Sequence, residues 1–172
     1  MPTFADLEAA APSIAQFLGR RMADTGLSLV ATTRRDGWPR VSPMEIFVHE
    51  GRIYVGSMPQ AVKARDLQRD PRCCVITPLA DKDDLAGEAK VFCRAREIQA
   101  GDEWEAVRRG FEAQRGFDPI GEPGGAHLFE LDIDAAAWQR VEDDTWRTTS
   151  WRAGGEVRER VREGADGLSR DL

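Results

Sequence analysis

Short apolar or β-branched segments, separated by turn-forming residues, make up most of this chain. The pattern is typical of β-strands, whose successive side chains point to opposite faces. It predicts strands over 27–33, 39–48, 53–57, 73–77, 88–99, 127–133, 137–141 and 145–151. Asp36-Gly37 and Glu50-Gly51 lie between the first three and favour tight turns, so these strands are expected to form an antiparallel meander.

Three other segments carry apolar residues at helical spacing or helix-end signals, and they predict helices over 12–24, 61–69 and 102–114. The glycine- and proline-rich segment 116–125 predicts a loop. Six to eight short strands with about three helices indicate a mainly β fold with helical inserts (α+β), an antiparallel barrel rather than a doubly wound parallel sheet. We expect one domain over 1–153 and a charged tail over 154–172, which is open to an edge strand, a frayed helix or disorder.

Composition narrows the classes of function. The 172 residues are 41% hydrophobic and 31% charged, and the formal net charge is −6, which disfavours general nucleic-acid binding. We see no stretch long enough for a membrane span and no signal-peptide pattern. Three cysteines, two of them adjacent and none in a CxxC pair, indicate buried thiols in a reducing cytoplasm rather than disulfides or a metal site.

The order of these elements, together with the residues in segments 29–43, 51–57, 63–67 and 69–72, resembles the pyridoxamine 5′-phosphate oxidase-like split β-barrels. This superfamily includes reductases that use flavins and reductases that use the deazaflavin coenzyme F-420. The resemblance is strongest over 28–96. It implies a homodimer with two cofactors at the subunit interface, the second and third strands along the ring system, and a lysine that binds the cofactor phosphate.

Carried onto this chain, the resemblance implies a specific set of cofactor-binding residues. Lys63 takes the phosphate role, at the start of a short helix whose free N–H groups also favour an anion. Beside the phosphate or along the ring edge, the resemblance places Arg40, Val41, Ser42, Pro43, Gly56, Ser57, Met58, Ala61, Val62 and Ala64. For Lys63 the alternative is a solvated surface lysine, and for segment 40–43 it is an ordinary edge strand. Trp38 and Trp151 are candidates to cover the rings, or else core residues.

The resemblance therefore implies an FMN- or F-420-dependent oxidoreductase that moves a hydride to or from a small conjugated molecule. No catalytic residue and no metal ligand is identified. The chain ends without the arginine–leucine–proline ending of true pyridoxamine phosphate oxidases, so that activity is not expected. One alternative is a non-enzymatic flavin, F-420 or haem binding module, with His127 as the first candidate for a haem ligand. Another is a dimeric interaction protein that has lost its cofactor.

Overall fold

The computed structural model describes residues 1–77, 81–163, 167 and 170–171. The helices are α1 (Phe4–Ala10), α2 (Pro12–Thr25), α3 (Val62–Arg69) and α4 (Asp102–Arg115). The strands are β1 (Ser28–Thr33), β2 (Pro39–Met44), β3 (Ile46–His49), β4 (Arg52–Ser57), β5 (Arg72–Ile76), β6 (Glu88–Glu97), β7 (His127–Glu142), β8 (Thr145–Arg152), β9 (Arg158–Glu163) and β10 (Arg170–Asp171). No helix of these described residues is long and apolar enough to cross a membrane.

All described strands belong to one antiparallel sheet that curls into a barrel. Its order is β10-β9-β8-β7-β6-β5-β1-β2, and β4 joins β7 while β3 joins β4. The first part of β7 pairs with β4 and its last part pairs with β8, while β6 runs beside both parts. This long strand therefore connects the barrel to the β8–β10 extension. The predicted mainly β fold with helical inserts is confirmed.

Two predictions about the strands were wrong. The predicted strand 39–48 is two strands, broken at the exposed Glu45, and they pair with different neighbours: β2 with β1, and β3 with β4. The first three predicted strands therefore do not form a meander. The segments 127–133 and 137–141, predicted as separate strands, form the single strand β7.

Both ends of the chain add elements. Thr3 and Asp6 form a capping box that begins α1, which the sequence reading left unassigned. In the charged tail, β9 pairs with β8 and β10 pairs with β9, so the tail adds strands to this side of the sheet and β10 is the edge strand. Part of the tail, at 164–166, 168–169 and 172, lies outside the described residues.

Two apolar cores lie on opposite faces of β3 and β4. The main core packs Ile53 and Val55 together with α1 and α2. The smaller core packs Phe47 and Tyr54 against α4, where the rings of Phe47 and Phe111 stack with centroids 3.8 Å apart. Burial on both faces fixes the position of β4, and it places α4 alongside the end of this strand.

Candidate functional site

A cavity of about 280 Å³ lies where β4 ends and α3 begins. Its walls are the β2–β3 break, the end of β4 with the start of α3, and α4 with the loop that follows it. The lining residues are Leu27, Pro43, Met44, Glu45, Gly56, Ser57, Met58, Lys63, Phe111, Pro119, Ile120, Gly125 and Ala126. The structure thus brings together five of the predicted cofactor-binding residues: Pro43, Gly56, Ser57, Met58 and Lys63.

Gly56 leaves open the space that a side chain would occupy. A Cβ built on this residue would have no heavy atom within 4 Å outside its immediate chain neighbours. Its backbone lies outside the left-handed region, so its conformation does not require glycine. The absence of a side chain here serves to keep the cavity open beside the backbone.

Ser57 presents a hydroxyl without a partner. The residue is only 6% exposed, and its Oγ has no hydrogen-bond partner among the described residues. A buried unsatisfied polar group costs about 1–3 kcal/mol. Ser28 Oγ is in the same state, but Ser28 does not line the cavity. The hydroxyl of Ser57 is therefore available to a ligand that offers an acceptor.

Lys63 supplies the positive charge of the cavity. It is the second residue of α3 and half-buried, and it forms no salt bridge with any described residue. The N–H group of Ala64 donates to the carbonyl of Ala61, whereas those of Val62 and Lys63 have no acceptor in the described part of the chain. An ammonium group beside free N–H groups at the positive end of a helix favours an anionic ligand.

The position of α3 is fixed by the buried carboxylate of Asp66, which is 4% exposed. Its oxygens accept from Arg40 Nε at 2.6 Å, from Thr32 Oγ1 at 3.2 Å and from Arg69 Nη2 at 3.2 Å. Burial alone would raise the pKa of Asp66, but the hydrogen bonds from Arg40 and Arg69 outweigh it, and the pKa is lowered. Asp66 thereby connects α3 to β1 and β2.

The other predicted residues lie around the cavity rather than in its lining. Arg40 is engaged by Asp66, and Ser42 shares its face of β2, while Val41 points to the opposite, outer face. Ala61 supplies the carbonyl that begins α3, and the side chain of Ala64 is fully buried in the main core. Val62 is 55% exposed at the helix start.

The tryptophans and the histidine considered earlier lie elsewhere. Trp38 is 69% exposed beside the β1–β2 turn, and Trp151 is buried against the barrel. His127 begins β7 directly opposite Ser57. Its Nδ1 lies 2.7 Å from Glu97 Oε1, and its Nε2 accepts from the N–H of Gln60 at 3.4 Å. Both ring nitrogens are thus engaged, which leaves neither free to bind a haem iron in this arrangement.

Sequence reasoning missed Glu45, Asp66 and the wall formed by Phe111 and Ile120. These residues belong to elements far apart along the chain, and only the folded barrel brings them together. One signal for Asp66 was available in the sequence: Thr32 and Arg40 are polar residues at inward-facing strand positions. An arginine at such a position needs an acidic partner.

Comparisons with known proteins agree with this architecture. The family model of pyridoxamine 5′-phosphate oxidase matches residues 16–139. No curated protein matches the chain by sequence. Among solved structures, a heme binding protein from Mycobacterium smegmatis is similar with a TM-score of 0.64 and 22% identity, over 86% of this chain and 62% of that one. ChuZ from Campylobacter jejuni gives a TM-score of 0.65 and 15% identity, over 91% of this chain and 65% of that one.

A third similar structure is a protein related to general stress protein 26, of the pyridoxinephosphate oxidase family, from Clostridium acetobutylicum. It gives a TM-score of 0.61 and 11% identity, over 82% of this chain and 94% of that one. The chain spans less than two thirds of the length of the Mycobacterium protein and of ChuZ. At these identities the likeness concerns the fold.

Proposed function

Because the chain belongs to the pyridoxamine 5′-phosphate oxidase family, we propose that it binds FMN by its phosphate in the cavity between β4 and α3 and acts as an oxidoreductase. The flavin, when bound, supplies hydride chemistry to or from a small conjugated organic molecule. The protein's part is to bind the phosphate, to position the rings and to shape the space for the substrate. A cytoplasmic location stays a prediction from the sequence.

The observation that carries the proposal is the pair formed by Ser57 and Lys63 in one cavity. A buried hydroxyl without a partner and an ammonium group without a counter-ion both become satisfied when a phosphate binds between them. Gly56 adds the open space that lets a ligand approach the backbone. These residues therefore fit an anionic headgroup.

The ring system needs a flat apolar surface, and the outer face of the barrel offers one beside the cavity. Most cross-strand partners on this face are apolar from β2 to β7, although the charged Lys90 lies opposite Ile76. We call them the outer apolar band: Leu29, Ala31, Val41, Pro43, Cys74, Ile76, Phe92 and Ala135. Phe92 is 46% exposed and Val41 is 57% exposed. Because Pro43 belongs to both the band and the cavity, a second copy of the chain docked on the band would cover rings that extend from the phosphate.

The charges around the cavity favour FMN over coenzyme F-420. F-420 has a long anionic tail that would need an extended basic groove. Lys63 is the one cationic residue among the lining residues, which also include the acidic Glu45. Arg21 and Arg34 form salt bridges with Asp84 and Asp36 and do not line the cavity.

Titration of the purified apo-protein with FMN and with riboflavin tests the phosphate assignment, because the two ligands differ only in that group. We expect Lys63→Ala to weaken FMN binding about 10- to 100-fold, the range for one charge-assisted hydrogen bond, and to leave riboflavin binding unchanged. Lys82→Ala is the matched control, since Lys82 is an exposed loop lysine paired with Asp83. Equal FMN affinity in both variants would remove the phosphate role of Lys63.

Side-by-side titrations with F-420 and haem test the alternative ligands, including the haem suggested by the name of the heme binding protein from Mycobacterium smegmatis. Tighter binding of either ligand than of FMN would replace the FMN assignment. The oxidoreductase part is tested by reducing the bound flavin anaerobically and mixing it with quinones and nitroaromatic compounds. Reoxidation faster than that of free reduced FMN supports an enzyme. A flavin that binds tightly but is reoxidised no faster than free FMN supports a binding protein.

A further inference from the structure

We propose that His127 is a positioning residue that holds the turn over residues 57–61, between β4 and α3, in the conformation that receives the phosphate. This inference rests on the proposed function. The turn contributes Ser57 and Met58 to the cavity and leads directly into Lys63. His127 itself does not line the cavity, so it would act through the turn.

The contact is made to the one strained residue of the turn. Gln60 adopts φ +59°, a left-handed conformation that is uncommon for residues other than glycine. Such strain persists only where the surroundings hold it in place. The backbone N–H of Gln60 donates to His127 Nε2 at 3.4 Å, and its side-chain Oε1 accepts from Arg65 Nη2 at 3.5 Å. His127 and Arg65 therefore hold Gln60 from two sides.

The ring of His127 is itself fixed in orientation. Its Nδ1 lies 2.7 Å from Glu97 Oε1, and the carboxylate of Glu97 also accepts from Gln68 Nε2 at 2.9 and 3.0 Å. The ring lies nearly parallel to that of Phe129, with centroids 6.2 Å apart. Since Gln68 belongs to α3, this cluster connects the ends of β6, α3 and β7.

These contacts select one tautomer of the imidazole. A nitrogen that accepts from a backbone N–H carries no hydrogen, so Nε2 must be unprotonated. The hydrogen of the neutral ring then lies on Nδ1 and is donated to Glu97. The charged groups that face the ring are Glu97 on β6 and, through Gln60, Arg65 on α3.

Two substitutions at His127 distinguish the loss of the hydrogen-bond acceptor for Gln60 from the loss of the imidazole ring. The amide of His127→Gln reaches the position of Nε2 and can accept from Gln60, whereas that of His127→Asn reaches only the position of Nδ1. We expect His127→Gln to keep the FMN affinity of the wild type and His127→Asn to lose about fivefold, the value of one neutral hydrogen bond. Riboflavin binding should be the same in all three proteins, and this shows that the variants are folded.

The tautomer of the His127 ring gives a readout that a merely structural role would not fix. It can be read in the ligand-free protein by ¹H–¹⁵N correlation of the ring, with the hydrogen expected on Nδ1.

The results of these experiments separate the role of His127 from the proposed function. Equal FMN affinity of His127→Gln and His127→Asn, or a hydrogen on Nε2 in the free protein, overturns the role of His127 and leaves the phosphate site standing. Failure of the wild type to bind FMN overturns the proposed function, and the positioning role with it.

Discussion

Replacing Asp66 with asparagine should both destabilise the protein and loosen the phosphate site. Asp66→Asn keeps the shape of the side chain but removes its charge, and its amide NH₂ faces the donors of Arg40 and Arg69. The carboxylate lies at the centre of three hydrogen bonds and is nearly inaccessible to water. The substitution thus breaks the connection between α3 and the strands β1 and β2.

The burial of Asp66 and the exposure of its two arginine partners determine how much the free energy of unfolding should fall. Removing one partner of a buried ion pair costs about 3–5 kcal/mol. The side chains of Arg40 and Arg69 are 29% and 38% exposed, so water can solvate them once the carboxylate is gone, and the cost is reduced. We expect the free energy of unfolding to fall by about 2 kcal/mol. Urea titration followed by circular dichroism measures it.

Asp70→Asn is the matched control. Asp70 pairs with Arg72 at 2.7 Å, but the arginine is 69% exposed, and such surface pairs contribute about 0–1 kcal/mol. The FMN affinity of Asp66→Asn should also fall, because α3 carries Lys63, while that of Asp70→Asn should not. An Asp66→Asn variant no less stable than Asp70→Asn would refute the anchoring role of the carboxylate.

The effect has a defined pH dependence. The folded pKa of Asp66 lies below its ordinary value of 3.8, so its contribution to stability is fully present above that value and is lost as the pH falls through the folded pKa. The stability difference between wild type and Asp66→Asn should therefore be constant near neutral pH and shrink below about pH 4. A difference that grows on acidification would contradict the assignment.

Three further outcomes follow from the site and its surroundings. Gly56→Leu should abolish binding of both FMN and riboflavin by filling the cavity, with little change in the urea midpoint, whereas an unchanged affinity would place the ligand elsewhere. If the proposed dimer forms through the outer apolar band, Phe92→Glu should shift the chain to a monomer in light scattering, while Phe117→Glu, at a residue that is 57% exposed but lies outside the band, should not. Burial raises the pKa of Cys74 to about 11, so iodoacetamide should modify it slowly at pH 8 in the folded protein and faster in urea; fast modification of the folded protein would contradict its burial.

The sequence predicted most elements where a local pattern decides the structure. Short apolar and β-branched runs identified the segments of β1 and β4, and helical spacing followed by Gly26 located α2 and its end. The pattern failed at Glu45, because Met44 and Ile46 are apolar on either side of it and the run reads as one strand. What separates β2 from β3 is their pairing with different neighbours, and no local pattern encodes that choice.

For the candidate site, the sequence likewise predicted residues that are close together in the chain but not the contacts between distant elements. The resemblance pointed to Gly56, Ser57 and Lys63, which are close together in the chain and remain together in the structure. Arg40 was expected along the cofactor ring, but the structure pairs it with Asp66. That salt bridge joins residues 26 positions apart, and it exists only because β2 and α3 pack on the same part of the barrel.

The two prolines of β2 have a consequence for how chains can meet. Among the described strands, β2 pairs with β1 alone, so one of its edges is free. Proline lacks the N–H that an added strand would need, and Pro39 and Pro43 lie four residues apart on the same face of this strand. Another polypeptide therefore cannot readily extend the sheet here, and this protects the protein from strand-to-strand polymerisation.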